Sequence, residues 1–297
     1  DYPIIQQDWS RTRSTVQEGR AHEISERHSK ILAASRAGAG GPADLVVQPY
    51  STIKAPKRAF SLKPSYTNAI IEEYKLKGKM ISLSQLFGIP SESVLAETLR
   101  RLNEWEGRSV AEFASHFHLS LNSKSKSVAS TMIRAALELK GKNSRIKEFE
   151  REGIIIKTQS RKLGSGEALE HLSFPHQPMK SIAEEELFED SQLASYLHSF
   201  LFIPIFKPSK GNTNLKEWKI GKSYTWQPSE REMDEIEKEW TLFRDKIRSG
   251  ITLTRKKINS KRGFIIENDL PKASETRHIH MRPHGRNGSD VDKSLDF

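Results

Sequence analysis

The sequence has no cysteine, which excludes a disulfide framework, a thiolate zinc centre and a cysteine nucleophile together. A reducing, cytoplasmic location suits such a chain. It also lacks any apolar run near the roughly 20 residues that cross a bilayer, so no membrane partner is expected. The start, Asp1-Tyr2-Pro3, is neither a signal peptide nor an initiator methionine, and predicts a chain that begins mid-protein. Hydrophobic residues are on the low side at 35% of 297, yet enough for a globular core in one large or two medium domains. Acidic residues are outnumbered, 38 against 48 lysines and arginines, for a formal charge of +10. That surplus favours a polyanionic partner, nucleic acid first, over an acidic substrate.

One long-range echo is present. Asp8-Trp9, then Gly19, then Gln48-Pro49 is answered by Glu239-Trp240, then Gly250, then Arg282-Pro283, with the same Trp-to-Gly spacing. Each copy reads as a helix ended by glycine, then a loop and a strand arriving at an X-Pro turn. Two amphipathic helices could share this by coincidence, but a duplication accounts for all the matched features. The copies are unequally complete, since eight residues precede Trp9 and most of the chain precedes Trp240. Residues 1–77 are therefore expected to be the tail of a first domain whose front is missing, and residues 78–297 a second domain. The boundary falls in the polar stretch Tyr74-Lys75-Leu76-Lys77-Gly78-Lys79, where the helical pattern around Ala69-Ile70-Ile71 gives out.

Within the second domain, Ser109 followed three residues on by Glu112 is the arrangement of a capping box and starts a short helix. Val128, Met132, Ala135, Ala136 and Leu139 recur at helical spacing up to Gly141. The two helices could be a helix-turn-helix, but a packed pair is the commoner arrangement. Residues 153–158 and 200–206 read as buried strands, Trp218 to Trp226 alternates loosely, and a helix runs from about Ser229 to Arg248. Helices on either side of a mixed sheet make an α/β domain.

Gly19-Arg20-Ala21-His22-Glu23-Ile24-Ser25-Glu26, then Gln48-Pro49-Tyr50-Ser51 and Arg58-Ala59-Phe60-Ser61-Leu62-Lys63 resemble the late half of the MutH-type nuclease domain. The wording and order of parts also resemble the larger GATC-specific type II restriction endonucleases that carry two such domains in tandem. The second domain is similar again at Gly107-Arg108-Ser109, at Glu148-Phe149 through Lys157-Thr158, and at His280-Met281-Arg282-Pro283-His284. The resemblance implies a restriction-endonuclease-like mixed sheet flanked by helices, in a tandem pseudo-repeat with the first copy truncated. It also implies Mg²⁺-dependent cleavage by a D…E-x-K centre, in which two carboxylates hold the metal and a lysine helps activate water. Here Glu148 falls at the first acid, Ile155 at the second, and Lys157 at the lysine. Isoleucine cannot ligate magnesium, so the second domain is expected to be a pseudo-nuclease with no intact catalytic or metal site. Glu150 and Glu152 would be relocated carboxylates only on an extended segment, where both face one way.

The same resemblance brings Arg282-Pro283-His284-Gly285-Arg286-Asn287 and its counterpart Gln48-Pro49-Tyr50-Ser51 to the groove of target DNA. Arginine can contact guanine and asparagine adenine, proline stiffens the backbone and glycine lets it approach. Gln48 in place of the arginine puts guanine reading by the first copy in doubt. Lys54, Lys57, Arg58 and Lys63, with Phe60 interleaved, suit phosphate contacts, and Lys63 stands where the family's late strand ends in a lysine. His278, His280 and His284 have no evident fourth zinc ligand and neighbour arginines. The Gly38 to Gly41 run has no following helix or lysine at phosphate-loop spacing. The expectation is sequence-directed binding of double-stranded DNA, with self-association on DNA an open option, within a restriction endonuclease whose Mg²⁺-dependent centre lies upstream. A non-catalytic regulatory protein derived from such a nuclease is the alternative.

Overall fold

The computed structural model describes residues 1–25, 29–38, 42–76, 80–123, 128–139, 145–257 and 264–281. Contacts divide the chain into two compact units, residues 1–172 with 198–226, and 173–197 with 227 onward.

The first unit opens with α1 (Tyr2–Gln17), which carries Pro3 in its first turn, where a missing N–H costs nothing. Gly19 follows in the left-handed region at φ +72°, and a Cβ there would stand 2.5 Å from the Tyr50 carbonyl oxygen. Both the turn and the close approach require glycine. Two small antiparallel ladders come next, pairing β1 (Leu32–Arg36) with β4 (Arg58–Leu62) and β2 (Leu45–Val47) with β3 (Lys54–Pro56). β2 arrives at Gln48-Pro49, as the sequence pattern predicts. After α2 (Pro64–Leu76) the chain forms β5 (Met80–Ile81), α3 (Leu83–Phe87), α4 (Val94–Asn103), α5 (Val110–His116), α6 (Val128–Ala136), β6 (Arg145–Ile146), α7 (Lys147–Glu152) and β7 (Ile154–Lys162). Strands β5 and β6 pair in parallel. Helices α8 (Met179–Glu184) and α9 (Gln192–Tyr196) belong to the second unit, and the chain returns as β8 (Ser199–Lys207), β9 (Lys219–Ile220) and β10 (Tyr224–Trp226).

The main sheet is mixed. β7 and β8 run parallel from Ile154 opposite Ser199 to Lys162 opposite Lys207, and β8 takes β10 and β9 antiparallel on its other side. A proline inside such a strand normally argues against a central position. Pro204 is tolerated because its carbonyl, and hence its missing N–H, points to the side where the partner changes. β10 pairs with residues 200–202, β9 with residues 205–206, and between them Gly221 N–H donates to the Pro204 carbonyl at 2.8 Å.

One face of this sheet supplies Ile154, Leu201, Ile203 and Ile205 to the core, against Trp105, Phe113 and Met132 from the helical side. The expected capping box is present: Ser109 Oγ accepts from Glu112 N–H at 3.1 Å while the Glu112 carboxylate accepts from Ser109 N–H at 2.6 Å. α5 and α6 both bury apolar residues in the same core, so neither projects as a free recognition helix. α6 stops at Ala136, earlier than its pattern suggests, and Glu138 takes a left-handed φ of +55°. The described part of residues 1–77 lies in the same unit as this sheet. α2 packs on α7, where Glu73 pairs with Lys147 at 2.6 Å and Arg151 at 2.7 Å.

In the second unit, α10 (Glu230–Ser249) starts at a second capping box, Ser229 with Glu232. Met233, Ile236, Trp240, Phe243 and Ile247 form its buried stripe, at the spacing of one helix face. Phe243 and Ile247 pack with Ile182 and Leu270, and β11 (Leu253–Lys257) pairs antiparallel with β12 (Phe264–Asn268). No helix among the described residues is long and apolar enough to cross a membrane.

Phe113 is 2% exposed and meets Trp105 edge-on at 4.8 Å. Phe113→Ala is expected to cost about 3–5 kcal/mol of stability, read as a lowered midpoint in urea unfolding with no change in slope.

Candidate nucleic-acid interface

The residues that the family resemblance sets at a nuclease centre sit on α7 and β7. Gly153, left-handed at φ +66°, ends α7 and turns the chain into β7. The Glu148 side chain points inward, and the residue is 6% exposed. Its carboxylate accepts from the Ser82 hydroxyl at 2.7 Å and from the N–H groups of Leu83 and Ser84 at 3.0 Å each. Ser82 is the N-cap of α3, so Glu148 meets the otherwise unpaired donors and positive end of that helix. Burial alone raises the pKa of this carboxyl, but the Ser82 hydroxyl and the Ser84 and Leu83 amides outweigh it and hold the value below the ordinary one.

Ile155 lies opposite Phe200, and Lys157 opposite Phe202. Alternation places both, with Gln159 and Arg161, on the sheet face that carries Phe200, Phe202, Tyr224 and Trp226. Burial lowers the Lys157 pKa. Glu150 and Glu152 are on a helix and face different partners, Arg145 at 3.7 Å and Lys30 at 2.7 Å. A magnesium site needs several hard oxygen donors around one point. Ile155 offers none, Glu148 is engaged by α3, and no cluster of three or more potential ligand residues occurs among the described residues. The residues present do not fit the metal.

The groove-facing candidates of the first copy separate by burial. Gln48 is 5% exposed, with Oε1 accepting from Ala21 N–H at 2.8 Å, Nε2 donating to the Ile53 carbonyl at 2.6 Å, and His22 Nδ1 3.0 Å away. It fastens the turn and presents no free amide edge. Lys63 is also internal, with Nζ donating to the Ser29 carbonyl. Arg58 donates from Nη1 to the Ala34 carbonyl at 2.7 Å. Turned outward are Pro49, Tyr50, Lys54, Lys57 and Phe60. Tyr50 is 76% exposed at a left-handed φ of +65°, an uncommon conformation for a bulky residue. Ser51 Oγ closes the turn by accepting from Ile53 N–H at 3.2 Å. Arg282, Pro283, His284, Arg286 and Asn287 lie outside the described residues.

Two acids of the echo have roles that the sequence reading did not assign. Asp8, 3% exposed on α1, accepts from the successive N–H groups of Lys30, Ile31 and Leu32 at 2.9, 2.7 and 2.9 Å. Glu239 on α10 accepts from those of Arg277, His278 and Ile279 at 2.6, 3.0 and 2.8 Å. The signal available was the acid before each tryptophan. A basic cleft of about 470 Å³, lined by Arg161, Lys219, Lys222 and Tyr224 among others, also had no local motif.

Residues 137–239 match the family model described as DNA mismatch repair enzyme MutH. The whole chain is similar to the type II restriction enzyme Sau3AI of Staphylococcus aureus, 31% identical over 317 aligned positions that cover 99% of this chain and 63% of that protein. The chain thus spans less than two thirds of the length of that relative.

A depressed carboxyl pKa adds stability that is complete above the ordinary value of 4.5 and is lost as pH falls through the folded value. Glu148→Gln is expected to lower stability at neutral pH by roughly 2–3 kcal/mol. The deficit should shrink as pH falls from the ordinary 4.5 toward the depressed folded value, where the wild-type carboxyl protonates. Urea unfolding of both proteins across this range checks it; a deficit independent of pH would show that the charge of Glu148 is irrelevant.

Proposed function

Because this chain is related to the MutH-type restriction endonucleases, we propose that it binds double-stranded DNA in a sequence-directed way, at GATC, without cutting it. Residues 1–77 are the tail of a first nuclease-type domain and residues 78–297 a second, whose centre has lost its chemistry. The observation that carries this reading is the state of Glu148 and Ile155, one carboxylate engaged by a helix terminus and the other replaced by an alkyl group. Hydrolysis then falls to a Mg²⁺-dependent acid-acid-lysine set upstream in the parent protein, in the cytoplasm. The charge of +10 supports a polyanionic partner. Outward Lys54 and Lys57 supply phosphate contacts, and by resemblance Arg282 and Asn287 approach base edges.

The chain alone is expected to leave supercoiled and linear DNA intact in Mg²⁺ or Mn²⁺. Metal-dependent cleavage that Glu148→Ala abolishes would overturn the pseudo-nuclease assignment. A non-catalytic regulatory protein would share this result and differ in having no acid-acid-lysine set ahead of Asp1 in its full gene product.

Binding is tested by fluorescence anisotropy on a duplex containing GATC and one with that site scrambled. The log-log salt slope should lie on the order of −3 to −6, at about −0.9 per phosphate contact. Lys57→Ala should weaken both complexes alike and reduce the slope by roughly one unit, whereas Arg282→Ala should cost about 1–3 kcal/mol on GATC and much less on the scrambled duplex. Equal wild-type affinity for the two duplexes would remove the main support for sequence-directed binding.

A further inference from the structure

The cleft lined by Arg161, Lys219, Lys222 and Tyr224 is built across β8. β7 pairs on one side of that strand and β9 on the other, so Arg161 and Lys219 stand two strand spacings apart, roughly 10 Å. Gly221 lets the link from β9 to β10 lie against β8, because a Cβ there would stand 2.5 Å from the Phe206 ring and 3.0 Å from Pro204. The segment before α5 closes the far side: Gly107 N–H donates to the Ile220 carbonyl at 2.8 Å, and Ile220 N–H to the Arg108 carbonyl at 2.9 Å.

Arg161 is held in place by neutral groups. Its Nε donates to Gln159 Oε1 at 2.7 Å, Nη2 to the Tyr224 hydroxyl at 3.1 Å and Nη1 to the Gly166 carbonyl at 3.4 Å. A guanidinium has five donors, so two remain and its charge is not cancelled. Arg100, Arg101 and Arg151, by contrast, are each paired with a carboxylate. Among the described residues none of the three cleft cations forms an ion pair, although Lys219 lies in the field of Glu112, whose carboxylate closes the Ser109 cap. Glu106, exposed at the rim, is the acid that lines the cleft. Three cations against one acid, with the arginine fork already oriented, suit an oxyanion.

A pocket for a small molecule encloses most of its ligand. This cleft is open to solvent, and Gly107 and Lys222 at its edges are exposed, which suits a polymer lying across it. Arg161 also shares a face of β7 with Lys157, four residues and about 13 Å further along the strand. We propose that the cleft holds a backbone phosphate of duplex DNA, with Arg161, Lys219 and Lys222 as its cations. The inference rests on the proposed DNA binding and adds to it a contact that carries no sequence information.

The test uses the full chain with the GATC and scrambled duplexes. Lys222→Ala and Arg161→Ala should each weaken both complexes alike and lower the log-log salt slope by roughly one unit. Lys222 is exposed, so its variant keeps the test intact if Arg161→Ala does not fold. Amine acetylation read by mass spectrometry should find Lys219 and Lys222 protected by either duplex and reactive in inorganic phosphate at the same phosphate concentration. An unchanged slope in Lys222→Ala, weakening confined to the GATC duplex, or protection by inorganic phosphate equal to that by DNA would overturn the proposal. Discrimination between the duplexes with both lysines still reactive would overturn it and leave the functional reading standing. Equal affinity for the two duplexes with both lysines protected would do the reverse, and absence of any duplex binding would end both.

Discussion

The arrangement of the first unit depends on one buried carboxylate. Glu148 is taken out of water, and an ionised group there is tolerated only with a full set of donors. Residues 82–84 provide them, more than sixty positions earlier in the chain. This contact ties α7 to the start of α3, while β5 and β6 pair immediately beside it. Gly153 then delivers the chain from α7 into β7, whose nine-residue parallel register with β8 organises the sheet. The same contact governs the chemistry. A carboxylate that accepts three hydrogen bonds from a helix terminus has most of its lone-pair sites taken up. Structural bracing and metal ligation are competing uses of one side chain, and here bracing holds it.

Carboxylates braced against successive backbone amides occur at Asp8, Glu148 and Glu239. Each is on a helix; Asp8 and Glu148 fix the entry to β1 and α3, and Glu239 fixes an irregular segment after β12. Between the two echo copies the acid keeps this role while the adjoining tryptophan changes environment. Trp9 is 45% exposed with Arg13 over its ring at 5.4 Å, whereas Trp240 is 4% exposed and 5.5 Å from Phe188. The informative part of the echo is thus its least distinctive letter, an acid that differs by one methylene between copies.

What was legible in the sequence is what short-range rules encode. The capping box at Ser109, the apolar run of β8 and the helix from about Ser229 to Arg248 each depend on residues within a few positions of one another. β7 was legible only in its apolar half. It continues to Lys162 because Gln159 and Arg161 find partners outside their own segment: Arg161 donates to the Tyr224 hydroxyl at 3.1 Å, and Gln159 lies within reach of both. The interior positions of Gln48, Lys63 and Glu148 were illegible for the same reason. A polar side chain is buried when distant chain brings it donors or acceptors, and composition contains no trace of that meeting. Family resemblance located these residues without revealing which way they point.

The proposed function, binding without cutting, has an electrostatic consequence. In a working metal site, paired carboxylates repel the phosphate until a cation neutralises them, so tight approach depends on divalent ions. Ile155 removes one of those charges and α3 sequesters the other, which leaves Lys157 as the titratable side chain of this trio that is not an acid. The phosphate-facing potential of such a domain does not wait on metal occupancy. Where recognition and hydrolysis are divided between two copies of one fold, the copy freed from catalysis can hold DNA in the absence of the ion that its relative needs for cutting. On the proposed function, the carboxylate diverted into the fold serves binding as well as stability.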